Sequence, residues 1–402
     1  MLSGLAQGLS LLDDGAERYL FLVSRDGAPW LEPYVSGPVS LLPTRATIRR
    51  NARPLAQAKR RITSLAPWTR AAWRSASRFR PVRPDHVPQS DGTAEAAGAH
   101  LIHFISQGAF LTEIPSVYHP HDLQHLHLPQ NFTPFERRLR DLEYRTFCRQ
   151  ASLVAVASRW VRDDVIRHLQ LPPEKVVVVP LAPPAAAFRT PSPEHSEALR
   201  ARLRLPQRFL FYPAQAWPHK NHITLFRALS LLRDESGVRV DLVCTGGTSA
   251  YAVEILKHRN ALGLNEQVHW LGYVSADDLR ALYDLCDAVV VPTLFEAASA
   301  PIWEAFAAKR AVACSNVTSL PDQAGDAALL FDPTDARAIA DAIRLLWFDR
   351  DLRRKLAGKG HTRVRGLSWD RVARHFRAIY RVVTGRPLSA EDNALLAQPS
   401  AL

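Results

Sequence analysis

Two glutamates, Glu296 and Glu304, stand eight positions apart in PTLFEAASAPIWEAFAAKR, and only Ala297, Ala298, Ser299, Ala300 and Pro301 lie between them before the helix-like PIWEAFAAK. An ionised carboxylate only accepts hydrogen bonds, and small side chains let a ligand approach backbone N–H donors closely. Pro301 suits the first turn of a helix, where its missing N–H costs nothing. Such a start adds unpaired N–H groups and the positive end of the helix dipole. Acceptors beside donors fit a polyhydroxylated ligand. Taken alone, the pair would be a helix-start residue and a solvated one.

It is not alone. Lys220, in YPAQAWPHKNHITLF, falls between the strand-like FLFYPA and a helix, a position suited to neutralising phosphate. CTGG closes another strand and carries Gly246, where absence of a side chain permits close backbone approach. LGYVS, with Tyr273 and Val274, closes a third. Four such loops at strand carboxyl ends read as a nucleotide-diphosphate site. In the first half, YHPHDLQHLH holds His119, His121, His125 and His127, which on their own would be polar packing or a metal-like cluster. His121 and His125 have ligand spacing, but the segment reads as a loop after a strand, so a metal site is not expected there.

These loops need strands to carry them. RYLFLVS, LIHFIS, SLVAVAS and KVVVVP in the first half, then FLFYPA, VRVDLVCTGG, QVHWLGYV, AVVVPT and RAVACS, are short β-branched or apolar runs. Helical spacing in HITLFRALSLLRDE and SADDLRALYDLC separates them. Near-continuous apolar strands joined by helices predict parallel sheets covered on both faces, with ligands at the carboxyl ends. The Pro- and Ala-rich residues 181–200 read as a linker. The expected organisation is a first domain over 1–180, a second over 201–366 and a helix over 367–385.

At 402 residues, two domains fit better than one. A 47% hydrophobic and 22% charged composition is that of a globular chain, and no apolar run is long enough to span a bilayer. MLSGLAQGLSLLDDG lacks the basic flank of a signal peptide. Cys148, Cys244, Cys286 and Cys314 occur singly, which suggests neither zinc nor disulfides and makes a cytoplasmic setting the expectation. The net charge is +12, with much of the excess in residues 44–84, where Trp68, Trp73 and Phe79 interleave with arginines. That segment is either a solvated insertion or an amphipathic surface for anionic lipid at the inner face of a membrane. No nucleic-acid-binding motif accompanies the charge.

PAQAWPHKNH, LGYVS, PTLFEAASAPIWEA and SNVTSLPDQAGDAALLFDP, in that order, resemble the donor domain of family 4 retaining glycosyltransferases. The likeness runs through nearly all of residues 209–333. YHPHDLQHLHLPQNFTPFERRLR and VAVASRWVRDDV resemble acceptor-side segments of the HDLQ-containing branch, and LSWDRVARHFRAIYRVV resembles the family's closing helix. The resemblance implies the GT-B architecture: two doubly wound, Rossmann-like domains facing a cleft that closes over the hinge and excludes water.

By the same resemblance, Lys220 binds the donor diphosphate and stabilises the leaving group, Glu304 takes the ribose hydroxyls and Glu296 contacts the donor sugar near the reacting carbon. The backbone at Ser299 and Ala300 meets sugar or phosphate, Tyr273 and Val274 lie at the base, and His121 lies close to the transferred sugar. The implied reaction moves a hexose, mannose by the branch, from a nucleotide-diphosphate sugar such as GDP-mannose to a glycan or lipid-linked acceptor. No acidic metal-binding motif sits in a suitable loop, so no metal is expected in that reaction. Front-face attack by the acceptor hydroxyl with retention is the expected course, and a covalent adduct on Glu296 is its rival.

Two departures accompany the likeness. Many members pair the lysine with an arginine, and the corresponding position here is Gln215. The family also begins with a strand and a glycine-rich loop, whereas LSGLAQGLSLLDDGAERYLFLV reads as helix, turn and second strand. That makes a short or degenerate form, a sugar-nucleotide binder without transfer, the alternative expectation.

Overall fold

The structure is a computed structural model that describes residues 1–44, 80–184, 187, 189–247 and 249–397. Most of the basic segment expected over 44–84, from 45 to 79, lies outside them. The chain divides into two units, Met1–Leu181 with Trp369–Leu402, and Ala182–Ser368.

The first unit holds two parallel sheets. β1 (Tyr19–Val23) pairs with β2 (Val39–Pro43). β3 (Ile102–Phe104), β4 (Ser116–Tyr118), β5 (Leu153–Val156) and β6 (Val176–Val178) form the other in chain order. Sequence pattern identified β1, β3, β5 and β6 but neither β2 nor β4. β2 is as long as β1 but only partly buried, and β4 is buried at all three residues, so it shows no alternation of polar and apolar positions.

The N-terminal segment is helical from Leu2 to Ser10, and its glycines explain its packing. A Cβ on Gly4 would lie 2.1 Å from the Trp369 ring, and one on Gly8 would lie 2.3 Å from the Trp369 carbonyl oxygen. Only glycine lets the helix rest this closely on the Trp369–Val383 helix. That second helix touches both sheets: Tyr380 stands 6.4 Å ring to ring from Tyr19 on β1, and its hydroxyl lies 2.7 Å from His103 Nδ1 on β3. Its buried Arg377 is ion-paired with Asp14, and Arg381 bonds Glu17 and Asp392, both at 2.7 Å. Pairing of this kind is what lets guanidinium groups be buried.

The second unit is a six-stranded, fully parallel sheet in the order β12-β11-β10-β7-β8-β9. Its strands are β7 (Leu210–Pro213), β8 (Leu242–Thr245), β9 (Val268–Trp270), β10 (Ala288–Val291), β11 (Ala311–Ser315) and β12 (Ala328–Phe331). All residues of β7, β8, β10 and β11 are buried, as runs such as AVVV require. β12 escaped the sequence reading because it is only half covered. From β7 the chain adds β8 and β9 on one side and then returns to add β10, β11 and β12 on the other. The order therefore reverses between β7 and β10, where open parallel sheets place their ligands.

Side-chain caps fix where several helices of this unit begin. Ser275 accepts from the Asp278 N–H at 3.1 Å, Asp335 from Arg337 at 2.7 Å and Asp349 from Leu352 at 2.8 Å. Residues 181–200, expected as a linker, already include the start of a helix, Pro193–Leu203, capped by Ser192. All four cysteines are buried and free. No described helix is long and apolar enough to cross a membrane.

Candidate functional site

The strand-order reversal in the second unit brings Lys220 and Glu296 together. Lys220 ends the short turn Pro218–Lys220 after β7, Glu296 sits in the loop after β10, and the lysine Nζ donates to Glu296 Oε1. Their side chains keep 16% and 12% of their exposure, so the pair is largely desolvated but reachable.

Neighbouring groups hold both backbones. The Tyr212 hydroxyl donates to the Lys220 carbonyl at 2.6 Å. Asn221, left-handed at φ 59°, donates through Nδ2 to the carbonyls of Pro292 and Pro333, each at 2.8 Å, and so ties the lysine turn to the ends of β10 and β12. The Glu296 N–H donates to Thr318 Oγ1 at 3.1 Å, and the Glu296 carbonyl accepts from the Thr318 and Ser319 hydroxyls at 2.7 and 2.9 Å. Burial first, and Lys220 second, depress His219 to about 3, and burial likewise takes His222 to about 3. Both imidazoles are therefore neutral at ordinary pH, leaving Lys220 as the cation of this turn.

The helix Ala300–Ala307 starts right after Ser299, with Pro301 at its second position. Glu304 lies one turn in, and its Oε2 accepts from the Tyr283 hydroxyl at 2.7 Å. Burial raises the Glu304 carboxyl, and the tyrosine hydrogen bond acts against that shift. Ser299 differs from expectation. Its N–H is not available to a ligand, because it donates to Gln323 Oε1 at 2.8 Å, while its carbonyl accepts from Gln323 Nε2 at 2.7 Å. Its hydroxyl, in a residue only 1% exposed, has no hydrogen-bond partner among the described residues and is the unspent polar group of that position. Ala300 beside it is exposed.

The glycine loop after β8 runs alongside. Gly246 has φ 138°, and a Cβ there would meet the Ala214 carbonyl oxygen at 2.1 Å, so no other residue fits. Its N–H donates to the Gly272 carbonyl at 2.8 Å, which joins the loops after β8 and β9. Gln215 accepts from the Gly247 N–H at 3.0 Å. Tyr273, 82% exposed, and Val274 follow β9. Nine of the ten expected positions thus lie in the loops after β7, β8, β9 and β10 or in the first turns of the helix Ala300–Ala307, at one edge of one sheet. Sequence reading had not singled out Gln323, Thr318, Tyr283 and Asn221, which fix them.

His121, the tenth, belongs to the first unit and follows β4. It adopts φ 66°, and its Nε2 stands 3.2 Å from the Ile105 carbonyl after β3. That contact makes Nε2 the protonated nitrogen and leaves Nδ1 as an acceptor. Burial lowers its pKa, so the ring is a neutral imidazole held in a defined tautomer. His121 and His125 do not converge: His125 is 1% exposed with its ring against Tyr144. Metal-type geometry occurs elsewhere in this unit, at His127, Asp164 and His168.

The family model described as "Glycosyl transferases group 1" covers residues 196–363, and "Glycosyltransferase Family 4" covers residues 10–182. Among curated relatives, the O-antigen chain mannosyltransferase B of Escherichia coli is 31% identical over 55% of this chain and 58% of its own. The serotype-specific mannosyltransferase WbdA of Escherichia coli is 29% identical over 59% of this chain and 30% of its own. The chain thus matches about half, or less, of the length of these relatives. Solved structures of similar fold include a sucrose-phosphate synthase from Thermosynechococcus elongatus, at TM-score 0.66 and 17% identity over 92% of this chain and 99% of that one. HepE from Anabaena in complex with UDP and glucose aligns at TM-score 0.65 and 19% identity over 94% and 95%. The shared fold is GT-B.

Proposed function

Because the chain belongs to the group 1 glycosyltransferases of family 4, we propose that it moves a hexose, mannose by preference, from a nucleotide-diphosphate sugar to a glycan or lipid-linked acceptor with retention of configuration. The observation that carries this reading is the Lys220–Glu296 pair at the strand-order reversal, flanked by Glu304 and the Gly246 loop. An ammonium has three N–H donors. One serves Glu296, and the others are free to take diphosphate oxygens as the glycosidic bond breaks and negative charge gathers on the leaving group. Glu304 accepts from the ribose hydroxyls, Gln215 and Gly246 bound the phosphate loop, and the strand-end backbone at Tyr273 and Val274 meets the base. Glu296, with Ser299 and Ala300, meets the donor sugar.

The acceptor hydroxyl attacks on the face from which the nucleotide departs and gives its proton to the departing diphosphate oxygen, and the neutral His121 is assigned to the transferred sugar. No metal takes part in this proposed reaction, so turnover persists in chelator. Preference for mannose draws on the mannosyltransferase relatives, and guanine as the base of the donor draws on the resemblance of the HDLQ-containing segment. The basic residues 44–84 are proposed to meet anionic lipid where a lipid-linked acceptor resides. A second reading, a sugar-nucleotide binder without transfer, draws on the first unit, whose six described strands fall into two sheets that share no hydrogen-bonded pair.

The test is thermal unfolding with GDP, UDP and ADP, followed by transfer from the nucleotide sugar whose base binds. A ligand at a hundred times its dissociation constant adds about 2.7 kcal/mol of apparent stability. A shift with one nucleotide plus product formation supports the enzyme. A shift without product supports the binder, and no shift with any nucleotide overturns both.

A further inference from the structure

Three side chains of the first unit, unused by the transfer described above, converge on one point. His127 closes the short helix Gln124–His127, and Asp164 and His168 stand one turn apart on the helix Arg159–Leu169. His127 Nε2 lies 2.8 and 3.0 Å from the two Asp164 oxygens, and His168 Nε2 lies 3.3 Å from Asp164 Oδ1. All three donor atoms fall within 4.8 Å of one another. The two imidazole planes are nearly perpendicular, with ring centres 5.5 Å apart, so each directs the same ring nitrogen at the shared carboxylate rather than stacking.

We infer that His127, Asp164 and His168 form a binding site for a divalent cation of the zinc class. Donors around a tetrahedral cation with bonds of about 2.0–2.1 Å stand about 3.3 Å apart, so the two imidazole–carboxylate separations need adjust by only about half an ångström or less, and the two imidazole nitrogens, within 4.8 Å of each other, close on the cation by side-chain rotation. Two imidazoles and one carboxylate select zinc, cobalt or nickel over magnesium or calcium, which prefer all-oxygen shells. The Asp164 side chain is 6% exposed, whereas His127 and His168 keep 30% and 38%. The carboxylate is thus the buried anchor, and the histidines form a solvent-facing rim through which a cation enters and where water completes its shell. Trp160, with its ring 5.3 Å from that of His127, walls one side. A bound cation would fasten the segment that carries His121, six residues before His127, to the Arg159–Leu169 helix. Its role is structural, and it stands whether or not the chain transfers sugar.

The experiment uses the full chain, stripped with chelator and dialysed, and titrated with zinc chloride by calorimetry and by thermal unfolding. One equivalent is expected to bind at micromolar concentration or below and to raise the melting temperature by about 5 °C at a hundredfold excess over the dissociation constant. Cobalt in its place should give the visible absorption of a four-coordinate site. His168→Ala, at a partly exposed position, should weaken binding at least tenfold and abolish the cobalt signal, and His127→Gln should do the same. No saturable equivalent, or zinc affinity unchanged in His168→Ala, overturns the proposal. If His127→Gln does not fold, the partly exposed His168→Ala decides.

Discussion

Lys220 and Glu296 are 76 positions apart in the chain, yet the lysine ammonium donates directly to the glutamate across the reversal between β7 and β10. Each therefore tunes the other. Removing Lys220 deletes the cation that faces the departing diphosphate, whereas removing only the charge of Glu296 leaves that cation uncompensated.

The two substitutions should consequently part company. Lys220→Ala is expected to abolish the nucleotide-dependent rise in melting temperature and to slow transfer by a factor of about 10²–10³, the usual cost of one such stabiliser. Glu296→Gln should bind free nucleoside diphosphate more tightly, by on the order of 1 kcal/mol or about fivefold, and still transfer poorly. Calorimetry with the diphosphate alone beside single-turnover transfer separates the two effects. Equal loss of diphosphate affinity in both variants would contradict the assignment of Lys220 to phosphate and Glu296 to sugar.

Glu304 offers a pH test. Burial raises its carboxyl above the ordinary range. A carboxyl with a raised folded pKa binds more protons in the folded than in the unfolded chain, so its contribution to stability falls as pH rises from about 4.3 through the folded value. Glu304→Gln should accordingly match or exceed the parent in urea at pH 8, with the difference shrinking toward pH 4. Nucleotide affinity should nonetheless drop about tenfold or more, because a charged acceptor for ribose hydroxyls is gone. A variant that is less stable at pH 8 and binds nucleotide normally would make Glu304 a packing residue.

Much of this arrangement was legible in the sequence because strand ends announce themselves. Lys220, Gly246 and Glu296 each follow an apolar run, and a polar or glycine residue just past such a run has few places to go except the carboxyl edge of the sheet. What could not be read is what joins those loops. Gln323 reaches Ser299 across 24 positions, Tyr283 reaches Glu304 across 21, and Asn221 reaches Pro333 across 112. Local pattern carries none of these distances, since strand order alone sets them. The histidines show the same limit: spacing pointed to His121 and His125 within one segment, whereas His127 meets Asp164 across 37 positions. Neither Asp164 nor His168 was singled out in the sequence. β4 went unseen because three buried residues contain no period.

Gln323 should behave as a brace for the loop between the glutamates. It is 4% exposed and satisfies both backbone groups of Ser299. Gln323→Ala leaves the buried Ser299 N–H without a partner and leaves its carbonyl with only the long 3.5 Å bond from the Trp303 N–H, which costs about 1–3 kcal/mol. The expected result is a lower melting temperature together with weaker binding of the intact nucleotide sugar, while affinity for the free diphosphate stays near the parent's. Loss of both affinities in equal measure would show that the loop is one unit with the phosphate turn rather than a separately held sugar contact.

Gln215 tests whether the phosphate turn is electrostatically short by one charge. The side chain is exposed and accepts from the Gly247 N–H, a bond that water can replace at a half-exposed position. In Gln215→Arg that acceptor is lost, but a planar guanidinium with paired N–H donors enters the turn five residues before Lys220, where it can grip phosphate oxygens two at a time. The expected outcome is tighter binding of nucleoside diphosphate, by about threefold to tenfold, with thermal stability lowered by no more than about 1 kcal/mol. The gain should shrink between 0.05 and 0.5 M salt (concentrations set by the experimenter), since screening acts over about 10 Å at 0.1 M and less above it. A gain that ignores salt would point to changed loop packing, and no gain would place Gln215 outside the phosphate-binding turn altogether.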